Sequence, residues 1–369
     1  NYLRWRLLDT TAVTLSAPFV DQDFSFKSVL YGSKENKPRW KRVTDESNRI
    51  LGFAIGRIYV DLYFPASSKK RVVSILENIR EALRTNLNSL SWLAPATHQA
   101  AINKLDNMRQ KIGYPGKWRD YSKLIVTRDS YARNVLNGNA FPIRRELDKT
   151  GNDANQNEWL MTPQSVNAYY NPSMNEIVFP AGILQPPFFD SEAPESLNYG
   201  TIGAVIGHEI SHGFDDHGSQ FDANGNVTDW WTSSDKKNFE KAALCISKQF
   251  DQYSVDGDAH IQGKLVTGEA IADLVGLKLA WQAFSNTTDV NIINPVINMP
   301  EAQLFYYGFA HVWASSGRPE YLRARVQTVP HPPAKFRVNG TLVNFQPFAQ
   351  TFALKPGYKL YKDNRCRIW

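Results

Sequence analysis

The sequence contains very little cysteine and no long apolar run. Two cysteines in 369 residues cannot build a disulfide-rich scaffold, and their spacing from the histidines excludes a cysteine-based zinc finger. Every apolar stretch falls well short of the ~20 residues that a membrane helix needs, so we expect no membrane span. The chain also begins without methionine or a basic-then-apolar leader, which indicates a fragment or a processed form.

Charge of one sign is not concentrated anywhere in the chain. Lysine and arginine number 42 against 36 acidic residues, a formal net charge of +6, but the excess is scattered in short clusters. Nucleic-acid-binding proteins usually gather their positive charge in a stripe, so we expect no nucleic-acid partner. The 42% of hydrophobic residues is typical of a folded globular protein, and the length allows two domains.

The first 145 residues have the apolar spacing of helices. Residues 74–91 carry apolar side chains at every third or fourth position, which predicts a helix. Residues 97–112 repeat the pattern up to Gly113, where we expect that helix to end. The run at residues 148–157 is polar and rich in turn formers, so we place a domain boundary near residue 145.

Short β-prone segments follow this boundary. Residues 166–170 and 176–180 are such segments, separated by Asn-Pro-Ser-Met-Asn, and they predict a hairpin with an edge strand. Two segments with helical periodicity come next. The expected fold class is therefore α+β and predominantly helical.

The strongest chemical signal is the H-E-x-x-H motif from His208 to His212. Apolar residues recur there every four positions, which predicts a helix whose stripe faces a core; they are Ile202, Ile206, Ile210 and Phe214. On a helix, His208 and His212 project side by side and can hold one zinc ion. Glu209 lies about 100° around the helix from His208, so it can act on a water at the metal as a general base without being a ligand.

A catalytic zinc site needs a third protein ligand and an open fourth position. Near Gly268 we expect a second helix to begin, and Glu269 and Asp273 share one of its faces at a spacing of four. Glu269 can bind the metal, and Asp273 can accept the free ring N–H of a ligand histidine. From these residues alone the alternative stays open, because the dipole of a helix favours acidic residues in its first turn.

Six blocks of sequence carry a resemblance that covers nearly the whole chain. They are Asn-Ala-Tyr-Tyr from residue 167, Asn-Glu-Ile-Val-Phe-Pro-Ala-Gly-Ile-Leu from 175, His-Glu-Ile-Ser-His-Gly-Phe-Asp from 208, Gly-Glu-Ala-Ile-Ala-Asp from 268, His-Pro-Pro-Ala-Lys-Phe-Arg from 331 and Cys-Arg-Ile-Trp from 366. In these blocks and their order, the chain resembles the C-terminal part of the neprilysin and endothelin-converting-enzyme family of zinc endopeptidases. The resemblance implies a thermolysin-like zincin domain in residues 146–369 and, in residues 1–145, the end of a helical capping domain.

The resemblance also implies roles for the residues around the metal. The zinc ligands, one ion per chain, would be His208, His212 and Glu269. Glu209 would be the general base and Asp273 would orient a histidine. Asp215 would support the site, and we expect it to pair with His331.

Further residues would bind the substrate. The resemblance implies that Asn167 and Ala168 bind its backbone as an added strand, that His331 stabilises the oxyanion and that Arg337 binds a carbonyl or carboxylate. Without the resemblance, His331 and Arg337 read as a surface histidine and a solvated arginine. Val205 faces the metal side of its helix, and the resemblance adds four residues to an apolar pocket there: Ile183, Phe188, Val312 and Trp313.

Three departures from the family pattern are visible. Ala270 stands where the family usually has asparagine, a change that removes no ligand, and Ala314 replaces a cysteine of the animal members. The chain also lacks most of the upstream capping region. The residues alone leave open whether Cys245 and Cys366 form a bridge or are two separate thiols, and the resemblance implies that they are bridged.

The function expected from these features is zinc-dependent hydrolysis of oligopeptides, with a preference for a hydrophobic residue just after the cleaved bond. Two alternatives are a zinc aminopeptidase, which would need an acidic group to hold the free amine, and a catalytically silent peptide-binding module. We expect an extracellular or extracytoplasmic location. The missing cap would be supplied by an upstream region or by a second chain.

Overall fold

The structure is a computed structural model that describes residues 1–369, and helices dominate it. The fourteen α-helices are α1 (Tyr2–Thr11), α2 (Ala17–Tyr31), α3 (Arg39–Tyr63), α4 (Ala66–Ser89), α5 (Pro95–Asp106), α6 (Tyr131–Leu147), α7 (Glu195–Asn198), α8 (Ala204–Ser211), α9 (Ser233–Phe250), α10 (Gly263–Thr287), α11 (Glu301–Val312), α12 (Pro319–Thr328), α13 (Ala334–Leu342) and α14 (Gln346–Thr351). The five strands are β1 (Arg109–Gly113), β2 (Tyr169–Asn171), β3 (Glu176–Pro180), β4 (Ile293–Asn294) and β5 (Met299–Pro300). The predominantly helical α+β class expected from the sequence is confirmed.

A three-stranded sheet in the order β1-β3-β2 lies beside the helices. β3 pairs parallel with β1 and antiparallel with β2, with Asn171 opposite Glu176. The hairpin expected from residues 166–180 is therefore confirmed, and its first strand lies at the edge of the sheet. All five residues of β3 are buried, as expected for the central strand.

The helix expected over residues 97–112 is wrong in its second half. α5 ends at Asp106, and Arg109–Gly113 form β1 instead. The apolar residues Met108 and Ile112 are buried as expected, but Met108 lies between α5 and β1, and Ile112 lies in β1 opposite Phe179 of β3. A partner strand distant in sequence overrides the helical pattern here.

Contacts among its residues divide the chain into two compact units. Unit 1 comprises Asn1–Tyr63, Tyr114–Gln164 and Arg318–Ala324, and unit 2 comprises Phe64–Gly113, Ser165–Gly317 and Arg325–Trp369. The boundary placed near residue 145 lies within unit 1, next to the exposed loop at residues 148–157. The assignment of residues 1–145 to a capping domain stays a prediction. All the candidate site residues belong to unit 2.

A disulfide bond joins Cys245 of α9 to Cys366, so the bridge implied by the resemblance is present. Close to it, the ring of Trp369 stacks on the rings of Trp92, Trp231 and Phe239. These contacts fix residues 366–369 against unit 2. None of the helices combines the length and the apolar composition that a membrane span requires.

Candidate metal centre

The H-E-x-x-H motif lies on a buried helix. A π-helical turn, Tyr199–Gly203, leads directly into α8, which ends at Ser211 with His212 as its C-cap residue. The four residues of the expected apolar stripe are at most 1% exposed; they are Ile202, Ile206, Ile210 and Phe214. The core therefore fixes the face from which His208 and His212 project.

Two glycines allow α8 and α10 to approach at backbone distance. A Cβ atom on Gly207 would lie 2.5 Å from the carbonyl oxygen of Gly276, and one on Gly276 would lie 2.4 Å from the backbone nitrogen of His208. Neither position has room for a larger residue. This approach brings the acidic residues of α10 within reach of the histidines on α8. This contact was not expected from the sequence, although a glycine inside an apolar helical run is a visible signal.

α10 begins earlier than expected. Its first residue is Gly263 rather than Gly268, so Glu269 and Asp273 lie in the second and third turns. The helix dipole acts mainly within the first turn. The helix dipole therefore does not explain why these two acidic residues occur at these positions. On another face of α10, Ala270, Leu274 and Leu277 are buried.

Three side chains converge between the two helices. Candidate ligand atoms of His208, His212 and Glu269 all lie within 4.8 Å of one another. The two imidazole Nε2 atoms are 3.0 Å apart. The carboxylate oxygens of Glu269 lie 3.3 Å from His208 Nε2 and 3.7 Å from His212 Nε2.

Each histidine is held from behind by a carboxylate. His208 Nδ1 lies 2.9 Å from Asp273 Oδ1, and His212 Nδ1 lies 2.7 Å from Asp215 Oδ2. When Nδ1–H donates to these carboxylates, the lone pair of each Nε2 points towards Glu269. The expected contact of Asp273 with a histidine is present. The expected pairing of Asp215 with His331 is wrong, because Asp215 contacts His212 instead.

This donor set fits a divalent cation. The Nε2 atoms of the two histidines face each other at 3.0 Å, and Glu269 Oε2 is buried without a hydrogen-bond partner. Burial disfavours a charged imidazole, yet Asp273 and Glu269 raise the pKa of His208 to about 10. Burial would by itself raise the pKa of Glu269, but the two histidines lower it. Two imidazoles and one carboxylate are ligands that zinc prefers, and they leave a fourth position open.

Glu209 and His331 lie next to this cluster. Glu209 is 6% exposed, and burial raises its pKa above the usual range. His331 precedes α13, and its Nε2 lies 3.1 Å from Glu269 Oε1. Burial lowers the pKa of His331. Both side chains are therefore near the position that a ligand of the metal would take.

Arg337 is buried rather than solvated. Its Nε and one terminal nitrogen donate to the two oxygens of Asp273 at 2.7 and 2.5 Å. The guanidinium also lies over the ring of Trp313, 3.9 Å from the ring centroid. Arg337 thus contacts the residue that holds His208, and a role in substrate binding stays a prediction.

The remaining candidate residues differ in how far their side chains are exposed to solvent. Asn167 is exposed and Ala168 is buried, directly before edge strand β2. Of the residues assigned to an apolar pocket, Ile183 and Val205 are buried, whereas Phe188, Val312 and Trp313 are partly exposed. The pocket itself stays a prediction.

Comparison with known proteins places both ends of the chain in the same group. A family profile described as Peptidase family M13 matches residues 167–368, and a second profile with that description matches residues 1–115. The chain is 38% identical to Neprilysin-3 of Drosophila melanogaster, over all of this chain and 48% of that protein. It is 37% identical to human endothelin-converting enzyme 1, over all of this chain and 49% of that protein. The chain spans about half the length of the curated relatives it matches.

Solved structures give the same result. The structure of the zinc metalloprotease ZMP1 of Mycobacterium tuberculosis in complex with an inhibitor superposes on this chain with a TM-score of 0.95 and 41% sequence identity. The match covers 99% of this chain and 57% of the ZMP1 chain. PepO of Lactobacillus rhamnosis matches 96% of this chain and 55% of that one, with 32% identity and a TM-score of 0.88.

Gly276→Ala should weaken zinc binding by about tenfold or more, the size of effects at residues that hold ligands in place. The added Cβ would meet the backbone of His208, so α8 and α10 must separate and Glu269 must move away from the histidines. Competition with a chelator measures the affinity. Gly116→Ala is the matched control, because nothing lies within 4 Å of its added Cβ. Equal affinity in both variants would contradict the importance of the glycine contact.

Proposed function

The chain belongs to peptidase family M13, and we propose that it is the C-terminal, zinc-dependent catalytic part of an endopeptidase that hydrolyses oligopeptides. The observation that carries this proposal is the convergence of His208, His212 and Glu269, with a carboxylate behind each histidine. A set of two histidines and one glutamate with an open position is typical of catalytic rather than structural zinc sites.

Zinc would be bound by these three residues, one ion per chain. When bound, it supplies a Lewis acid that polarises the scissile carbonyl and lowers the pKa of a water molecule. Asp273 and Asp215 keep the protons of the two imidazoles on Nδ1, so that both Nε2 atoms remain free to bind. Arg337 neutralises the buried charge of Asp273.

Glu209 is the proposed general base. It lies on the same helix as the two histidines but on another face, so it acts beside the cluster and not within it. It takes a proton from the attacking water and later delivers that proton to the leaving amine. A group that acts first as a base and then as an acid works best with a pKa close to the working pH.

His331 is the proposed oxyanion donor. Attack on an amide places negative charge on the carbonyl oxygen, and a donor already in position stabilises that charge. The contact of His331 with Glu269 supports this role, because it puts an imidazole N–H at the edge of the ligand cluster.

Substrate contacts come from the edge strand and the apolar residues. The outer edge of β2 pairs with no other strand of its sheet, so an extended peptide can add to it beside Asn167 and Ala168. Arg337 would bind a substrate carbonyl or carboxylate. Ile183, Phe188, Val205, Val312 and Trp313 would form the pocket for a hydrophobic residue just after the cleaved bond.

A further region of protein would complete the enzyme. Helices of unit 1 leave large apolar side chains exposed, with Leu3 at 80%, Phe26 at 66% and Val29 at 78%. Surfaces of this kind are usually covered by other protein, here by an upstream capping region or by a second chain. The disulfide bond supports an extracytoplasmic location, because such bonds persist in oxidising compartments.

Glu209→Gln should keep the zinc and lose most of the turnover, by ~10²- to 10⁴-fold for a general base. Glu269→Gln should instead weaken zinc binding, because a ligand is lost. For both variants, the experiment measures the metal content of the protein and its turnover of a peptide that is blocked at both ends. If the wild-type protein were an aminopeptidase or a catalytically silent binding module, it would leave this peptide intact. Reversed metal contents in the two variants would contradict the assignment of base and ligand.

His331→Ala should lower kcat by ~10²- to 10³-fold, as for one oxyanion donor, and leave KM nearly unchanged, because the hydrogen bond forms only in the transition state. His260→Ala, at an exposed position, is the control and should match the wild type. The variants are compared fully loaded with zinc. A change confined to KM would place His331 among the groups that bind substrate in its ground state.

A further inference from the structure

Lys104 is fully buried, with 1% of its surface exposed. It lies on α5, on the face that also carries the core residue Ala101. Its amino group donates to the carbonyl oxygens of Gly218 and Phe221, both at 2.6 Å. A lysine is rarely buried to this extent unless its amine has a specific task.

The two carbonyl groups lie at the start and directly after the end of the turn that follows the H-E-x-x-H helix. The 3₁₀ turn Gly218–Gln220 comes directly after His217. The backbone N–H groups of His217 and Gly218 donate to Asp215 Oδ1 at 2.9 and 2.7 Å. The other oxygen of Asp215 holds His212 Nδ1. The position of this turn therefore sets the position of Asp215, and Asp215 sets the ring of His212.

The turn is tightly packed against the end of α8. A Cβ atom on Gly218 would lie 1.7 Å from the carbonyl oxygen of His212. Asn175 contributes from the other side, because its amide donates to the carbonyl oxygens of both Lys104 and Ala223. The end of α5 and the segment after the motif are thus joined by side-chain hydrogen bonds at two places.

The contacts of the Lys104 amine do not require it to be charged. Burial lowers the pKa of Lys104 to about 7, and an amine and an ammonium group can each donate the two hydrogen bonds. The rings of Tyr170, Phe214 and Trp230 surround the nitrogen, with centroids 5.9, 5.7 and 5.9 Å away. The site is therefore dry, and a lost donor there cannot be replaced by bulk water.

We propose that Lys104 is a positioning residue for the metal centre, which fixes the Gly218–Gln220 turn and so holds Asp215 against the ligand His212. This inference rests on the proposed zinc site. It differs from a purely structural role of Lys104, which would stabilise unit 2 as a whole and leave the affinity for zinc unchanged.

The test compares Lys104→Met with Lys278→Met. Both changes remove an amine that donates to a main-chain oxygen of unit 2, since Lys278 donates to a main-chain oxygen of Trp369, the last residue. Zinc affinity is measured by competition with a chelator, and folding of the metal-free proteins by circular dichroism and thermal unfolding. We expect Lys104→Met to bind zinc about 10- to 100-fold more weakly and Lys278→Met to stay within about twofold of the wild type. Equal zinc affinities of Lys104→Met and the wild type would overturn the inference, even if the melting temperature falls.

A double-mutant cycle shows whether Lys104 acts through Asp215. In an Asp215→Asn background, Lys104→Met should change zinc affinity by less than about twofold, because the link to His212 is already broken. Fully additive losses would contradict this route. If Lys104→Met does not fold, Lys104→Gln, which keeps one donor, takes its place in both comparisons. If the wild-type protein does not bind zinc, the proposed function is refuted. If the wild type binds zinc and the Lys104 variant binds it equally well, only this inference is refuted.

Discussion

The site depends on the contact between the backbones of α8 and α10 at Gly207 and Gly276. These helices are more than fifty residues apart in sequence, and only glycine allows them to approach so closely. The approach places Glu269 beside Nε2 of both histidines and Asp273 behind His208. Without it, the two histidines would remain a pair with no third ligand, and a tetrahedral metal site could not be completed.

A second principle of the site is that each carboxylate behind a ligand histidine has a partner of its own on the side away from the cluster. Asp273 is paired with Arg337, and Asp215 is held by backbone N–H groups of a turn that Lys104 fixes. Buried carboxylates without such partners would be costly and would move or take up protons. The resulting rigidity favours metal binding, because the ligand rings are oriented before the ion arrives.

Local features of the site could be predicted from the sequence, and long-range contacts could not. The spacing of His208 and His212 and the apolar stripe from Ile202 to Phe214 are properties of one helix, so they follow from periodicity alone. The strand β1 in place of a helix end and the burial of Lys104 depend on segments distant in sequence. The bridge between Cys245 and Cys366 could be inferred only from the resemblance, because two cysteines far apart in sequence can equally be separate buried thiols.

The most direct test of this account is anomalous diffraction at the zinc absorption edge from crystals of the zinc-loaded protein. We expect one peak per chain, at about 2.0 to 2.2 Å from Nε2 of His208, Nε2 of His212 and a carboxylate oxygen of Glu269. Nδ1 of each histidine should remain bound to Asp273 or Asp215. A peak bound by other residues, or no peak at this position in crystals that contain zinc, would contradict the account.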